Sequence, residues 1–90
     1  MRLIYSILRE INQSNTPKAT DYKMKDYEFR KIIYYIKEHN YIKGEIITFT
    51  DILLGGAKVT EDGLDYLTNY KKYEDVYPTN EDLPYWVRQE

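Results

Sequence analysis

Glu45-Ile46-Ile47-Thr48-Phe49, followed beyond Thr50-Asp51 and Gly55-Gly56 by Ala57-Lys58-Val59, is the stretch on which the fold turns. A β-branched and aromatic run of this length predicts a strand over residues 45–49. Ile52-Leu53-Leu54, bracketed by turn-forming residues, reads as the tip of the connection, and residues 57–59 as a short return strand. A β-hairpin results. Without it the chain would read as a helical bundle, because everything around it has the period of helices.

Upstream, Phe29, Ile32, Ile33 and Ile36 recur at i, i+3, i+4 and i+7 and predict a helix from about Lys25 to Glu38. His39-Asn40 suits its end, the imidazole lying near the last carbonyls and the Asn tolerating a left-handed cap. Further back, Leu3, Ile4, Ile7, Leu8 and Ile11 form one stripe of a first helix that turns Arg2, Ser6, Arg9 and Glu10 outward and ends near residues 12–14. Thr16-Pro17 can start a short second helix over about Lys18 to Tyr22. Downstream, Thr60 caps a fourth helix with Glu61 and Asp62 at its positive end and Leu64 and Leu67 facing inward. Gly63, inside its first turn, is expected to permit close approach of another element. After Asn69 the chain becomes acidic and tyrosine-rich. Residues 70–90 are expected to form an irregular extension, with a last turn near Leu83 to Arg88 that docks Tyr85 and Trp86 on the rest. The order of three helices, hairpin and fourth helix predicts one α+β domain over residues 1–90 with the layout of a winged helix.

Ninety residues with 42% hydrophobic and 31% charged side chains suit one small globular domain and exclude a two-domain enzyme. Zero cysteines exclude disulfides, thiolate nucleophiles and Cys-type zinc sites, and His39 is the single imidazole. No metal site and no cofactor are expected. Gly55-Gly56 lacks the Lys-Ser/Thr of a phosphate loop, and one His at a helix end makes no catalytic triad, so the chain reads as no enzyme. No stretch approaches the ~20 apolar residues of a membrane span, and a cytoplasmic location is expected. The net charge of −2 hides an asymmetry: residues 1–43 hold nine Lys or Arg against five acids, and residues 44–90 hold four against ten.

Leu3-Ile4-Tyr5-Ser6-Ile7-Leu8-Arg9-Glu10-Ile11, the Asn15-Thr16-Pro17 turn, Tyr41-Ile42-Lys43-Gly44 and Gly56-Ala57-Lys58-Val59-Thr60-Glu61-Asp62-Gly63-Leu64-Asp65-Tyr66-Leu67 resemble the YjcQ family of small bacterial and prophage proteins. The resemblance covers about residues 3 to 69. It implies a winged-helix-like fold and a phage or prophage setting, and supplies no catalytic residue. This chain departs from the pattern in its compact hairpin and in a C-terminal region broken by Pro78 and Pro84, which puts in doubt any dimer contact through a C-terminal helix.

Two kinds of partner fit these residues. Duplex DNA would meet the third helix through Tyr27, Arg30, Lys31, Tyr34 and Lys37, with Lys18, Lys23 and Lys25 on the flanking phosphates. Glu28 and Glu38 near the same surface oppose this, as does a hairpin whose tip offers Leu53 and Leu54 where a DNA-reading wing presents Arg or Lys. A protein partner, or a second copy of the chain, would instead meet Leu53 and Leu54 or the C-terminal aromatics Tyr73, Tyr77 and Trp86.

Overall fold

A computed structural model describes residues 2–89. Helix α1 (Arg2–Asn12) is followed by a 3-10 turn (Ala19–Tyr22), helix α2 (Asp26–Glu38), four two-residue strands β1 (Ile42–Lys43), β2 (Ile46–Ile47), β3 (Ile52–Leu53) and β4 (Lys58–Val59), helix α3 (Glu61–Asn69), a second 3-10 turn (Lys71–Val76) and helix α4 (Leu83–Trp86). This is an α+β globule of several helices and small antiparallel hairpin ladders. One core joins Ile4, Ile7, Leu8 and Ile11 of α1 to Phe29, Ile33 and Ile36 of α2, Ile42 of β1 and Leu54 beyond β3.

Local chemistry sets the helix boundaries. The backbone N–H groups of Lys18 and Lys25 donate to the carboxylates of Asp21 and Glu28, three residues on, at 2.9 and 3.0 Å. The predicted cap at Thr16 is not used: Pro17 lies before the turn, buried, and helical geometry starts at Ala19. At the other ends, Ser14, Lys23 and Asn40 adopt left-handed backbone (φ 65°, 50° and 60°). After each, the next N–H reaches back to a carbonyl of the last turn: Asn15 to Glu10, Met24 to Ala19 and Tyr41 to Ile36, all within 2.9–3.1 Å. Asn40 fills the cap expected of it.

The hairpin is real but displaced from the expected register. Ile42 and Lys43 pair with Val59 and Lys58, and Ile46 and Ile47 pair with Leu53 and Ile52, so the return limb starts at residue 52. Ile52 and Leu53 are therefore strand, and the tip is Thr48-Phe49-Thr50-Asp51. It closes because the Thr48 N–H donates to the Asp51 carbonyl at 2.8 Å while the Asp51 N–H donates to the Thr48 hydroxyl at 2.9 Å. The expected strand at 45–49 shrinks to two residues, since those turn bonds take the backbone groups of residue 48.

Three burial assignments also change. Ser6, expected outside, is wholly buried because α1 is covered both by the core and by the C-terminal segment. Leu64 is exposed: α3 (residues 61–69) packs through Gly63, Tyr66 and Leu67. Gly63 lies against the Tyr41 carbonyl and the Val59 side chain so closely that no Cβ fits, the close approach anticipated for it. Tyr85 is exposed, whereas Trp86 docks as expected.

Residues 70–88 are irregular and tightly tied. The Tyr77 hydroxyl donates to Glu10 Oε2 at 2.8 Å, so it must accept from Ser6 Oγ at 2.7 Å. Ser6 has spent its one proton there, and its 2.9 Å bond to Tyr22 must be donated by the Tyr22 hydroxyl. A directed chain of hydroxyls, Tyr22 to Ser6 to Tyr77 to Glu10, thus crosses from the first 3-10 turn to the C-terminal segment. Beside it, Glu74 accepts from the Tyr5 hydroxyl at 2.8 Å and from Arg9 at 2.9 Å. Trp86 sits edge-on to Tyr73 and Tyr77, with the Arg2 guanidinium 4.8 Å from its ring centre.

Candidate functional site

In β2 and β3 (residues 46–47 and 52–53) each cross-strand pair has its own face. Ile47 and Ile52 are half-buried and pack on the core, whereas Ile46 and Leu53, directly opposite each other, are 56% and 51% exposed. Phe49, at the tip between them in sequence, is 99% exposed. These three side chains are an apolar surface carried on a projecting arm. Arg30 of α2 braces that arm, its guanidinium donating to the carbonyls of Thr48 at 2.8 Å and Phe49 at 3.4 Å.

Beside the arm lies a cleft of about 560 Å³. Its walls are the loop at residues 16–19, the start of α2 through Asp26, Phe29 and Arg30, and the hairpin through Ile46 and residues 50–56. Its apolar lining includes Pro17, Phe29, Ile46, Ile52, Leu53 and Leu54, while Lys18, Asp26, Arg30 and Asp51 place charges around it. Gly44 and Gly56 line the same cleft, and φ of +81° at Gly44, with the Gly56 carbonyl against it, requires glycine there.

The expected DNA-contacting residues divide. Tyr27, Lys31, Tyr34 and Lys37 share the exposed side of α2, with the Lys25 and Lys31 ammonium groups 6.0 and 5.9 Å from the Tyr27 ring centre. Arg30 is turned to the hairpin tip instead. Lys23 donates to the Tyr85 hydroxyl at 3.0 Å, and this bond and charge lower the Tyr85 pKa from its ordinary value. Lys18 belongs to the cleft. Among the described residues the ion pairs are those of Arg9 with Glu10 and Glu74, and none joins these lysines to a described carboxylate.

The expected protein-interface residues divide as well. Leu53 is exposed, but Leu54 is only 3% exposed: a turn in which the Ala57 N–H donates to the Leu54 carbonyl at 3.0 Å swings it under the hairpin into the core. Trp86, at 7% exposure, is core too, and Tyr73 and Tyr77 are half-buried members of the clasp on α1. These three C-terminal aromatics therefore face inward, while Tyr85 stays exposed. Ile46 and Phe49 were missed as surface residues. A signal for them existed: a two-stranded hairpin can bury one face, so consecutive Ile46-Ile47 must leave one isoleucine outside.

Titratable groups tell the same story. Burial, reinforced by the Glu74 carboxylate, pushes the Tyr5 hydroxyl up to about 12, and burial likewise raises Tyr22, Tyr66 and Tyr77. These are neutral, structural hydroxyls. His39 caps α2, with Nδ1 2.9 Å from the Tyr35 carbonyl and its ring 4.0 Å from that of Tyr35. Among the described residues no three His, Cys, Asp or Glu are grouped to hold a metal ion, and no helix is long and apolar enough to cross a membrane.

Over 92 residues, which span 97% of this chain and 96% of the relative, the chain is 27% identical to "Uncharacterized protein YjcQ" of Bacillus subtilis (strain 168). It is a distant full-length homologue of that protein. The match extends past the resemblance at residues 3 to 69 and takes in the C-terminal clasp as well as the hairpin. No protein-family model matches the chain, and no solved structure matches it significantly. The relative's name assigns no activity, so a functional reading rests on the residues of this chain.

Proposed function

We propose that this chain is a non-enzymatic protein-interaction module on a winged-helix frame. In that frame α2 stands as the recognition helix, the first 3-10 turn as a much shortened second helix, and the 42–59 hairpin as the wing. The contact surface is the hairpin. One observation carries the reading: Phe49 stands fully in solvent at the tip of an arm held by Arg30, with Ile46 and Leu53 exposed behind it. Large apolar side chains grouped on one projection fit a surface that a partner covers. The test is cross-linking of the tagged chain in its host, comparing wild type with a Phe49→Ser, Leu53→Ser variant of equal melting temperature. Specific protein adducts lost only in the variant are the expected result; an identical adduct pattern overturns the assignment.

A second reading, duplex DNA bound along α2, is favoured by the exposed Tyr27, Lys31, Tyr34 and Lys37 and by the absence, among the described residues, of an ion pair to those lysines. Its test is the anisotropy of a labelled duplex at about 50 and about 200 mM salt, because phosphate contacts must weaken steeply with salt. Binding that disappears at the higher salt, and in Lys31→Glu at either, supports it. Absence of binding leaves the hairpin as the functional surface.

A further inference from the structure

We propose that a groove along α3 binds a methylated ammonium cation, set against the rings of Tyr41, Tyr66 and Tyr70 with the carboxylates of Asp62 and Asp65 at its rim. This site goes beyond the hairpin reading and shares no residue with the hairpin surface. Asp62, Asp65, Tyr66, Asn69 and Tyr70 follow at i, i+3, i+4, i+7 and i+8, which sets them on one stripe of α3 and its C-terminal cap. His39 and Tyr41 form the other side, and the groove between has a volume of about 350 Å³. That is the small end of the range for ligand sites and suits a headgroup.

The groove is fixed before any ligand arrives. The Thr60 N–H donates to the Tyr41 carbonyl at 2.9 Å, the Thr60 hydroxyl donates to the Asn40 carbonyl, and the Asn40 amide donates to Asp62 Oδ2 at 3.2 Å. Gly63, with no Cβ, lets α3 close on the Tyr41 backbone. These contacts bring the Tyr41 ring centre to 5.2 Å from that of Tyr66, which lies 4.6 Å from that of Tyr70. A site already ordered loses little freedom on binding.

Charge selects a cation. Elsewhere the chain sets its own cations against its rings: Tyr27, Tyr73, Tyr77, Tyr85 and Trp86 each have a Lys or Arg charge within 6.0 Å of the ring centre. None of those cations stands over the Tyr41 or Tyr70 ring, and among the described residues no Lys or Arg lines this groove. Two carboxylates line it instead, and among the described residues Asp65 takes part in no hydrogen bond or ion pair. The C-terminal ends of α2 and α3, at His39 and Tyr70, add the negative poles of their dipoles. The positive pole of α3 lies by Asp62, so the cation's place is nearer Asp65 and Tyr70. A methylated ammonium suits the site because aromatic rings attract it through their quadrupoles and it asks for no hydrogen bonds in return.

The experiment is an NMR titration of the full chain with choline chloride to about 50 mM at constant chloride, with shifts centred on Tyr41, Tyr66 and Tyr70 and a dissociation constant of about 1–10 mM expected. 3,3-Dimethyl-1-butanol, which has carbon in place of the charged nitrogen, should bind at least about tenfold more weakly. Tyr70→Leu should weaken choline binding about tenfold, and Asp65→Asn about threefold. Asp65 is exposed, so its variant keeps the test decisive even if Tyr70→Leu fails to fold. A short peptide carrying trimethyl-lysine separates the sources of the cation: tighter binding than choline supports a modified protein side chain, and equal or weaker binding supports a free small molecule. No shifts at the highest choline concentration overturn the proposal, as do equal affinity for the neutral isostere and a choline constant that the folded variants leave unchanged.

Discussion

The hairpin of residues 42–59 is built of regular ladders, yet it leaves Ile46, Phe49 and Leu53 in solvent. Residues 70–88 hold one 3-10 turn and the four-residue α4, yet they bury Trp86 and seat Tyr73 and Tyr77 on α1. Backbone regularity and burial run in opposite directions in these two regions. What ties a segment down is the chemistry its side chains find. The C-terminal segment finds the guanidiniums of Arg2 and Arg9, the hydroxyls of Tyr5 and Ser6 and the Glu10 carboxylate on α1, while the outer hairpin face finds only the Arg30 brace at its tip. One region is clasp and the other is projection, and stability experiments should separate them.

The largest loss is expected from Trp86→Ala, which empties the centre of the clasp and should cost about 3–5 kcal/mol, a large part of what a domain this size has. Urea unfolding followed by circular dichroism checks it. A cost under about 1 kcal/mol would mean that the C-terminal segment is an ornament and not part of the core.

Next comes an alkaline limit. Tyr5, Tyr22, Tyr66 and Tyr77 all have hydroxyl pKa values raised in the folded chain, Tyr5 to about 12, against an ordinary value of 10.0. Above pH 10 the unfolded chain sheds these protons while the folded chain keeps them, so the folded state binds more protons and stability falls as pH rises. The contribution is fully present below pH 10 and is lost progressively from there through 12 and beyond. Melting temperature should hold from neutral pH to about 9.5 and then drop steeply; a flat profile to pH 12 would contradict the buried-hydroxyl picture.

Gly63→Ala attacks the seam between α3 and the hairpin base, where a methyl group meets the Tyr41 carbonyl and Val59, and should cost about 2–3 kcal/mol by overpacking. Ser6→Ala interrupts the hydroxyl chain and leaves Tyr22 without its acceptor, at about 1–2 kcal/mol. At the small end, Leu53→Ser and Phe49→Ser should each change the stability of the monomer by less than about 0.5 kcal/mol, because neither side chain gives up a core contact. If Phe49→Ser instead destabilises a dilute sample as much as Ser6→Ala does, the contrast between clasp and projection is broken.

How far the sequence discloses all this depends on the range of the interaction. Helix periodicity is local, and α1, α2 and the Thr60-capped α3 lie where residues 3–11, 29–36 and 60–67 placed them; the Thr60 hydroxyl accepts from the Gly63 N–H at 3.1 Å as its position implied. The hairpin was legible as a hairpin, but its register was not. Thr48 and Asp51 bond each other and so move the tip from Ile52-Leu53-Leu54, where it was expected, to residues 48–51. Ser6 was misplaced because amphipathicity assumes one buried face per helix, and Leu64 because α3 packs through Gly63, Tyr66 and Leu67 instead. The second cover on α1 comes from residues more than sixty positions away, and no periodicity reports it. The cleft was illegible for the same reason, since its walls come from three separated stretches.

The Arg2 guanidinium reaches the Trp86 carbonyl and Gln89 Oε1, each at 3.3 Å. On a ribosome, α1 emerges before the groups that cover its second face. Until residues 73–87 are made, Tyr5 and Ser6 lack the partners that Glu74 and Tyr77 supply. Contacts spanning nearly the whole chain also slow the search for them. The core around α1 is therefore completed only once residues 73–87 have been made.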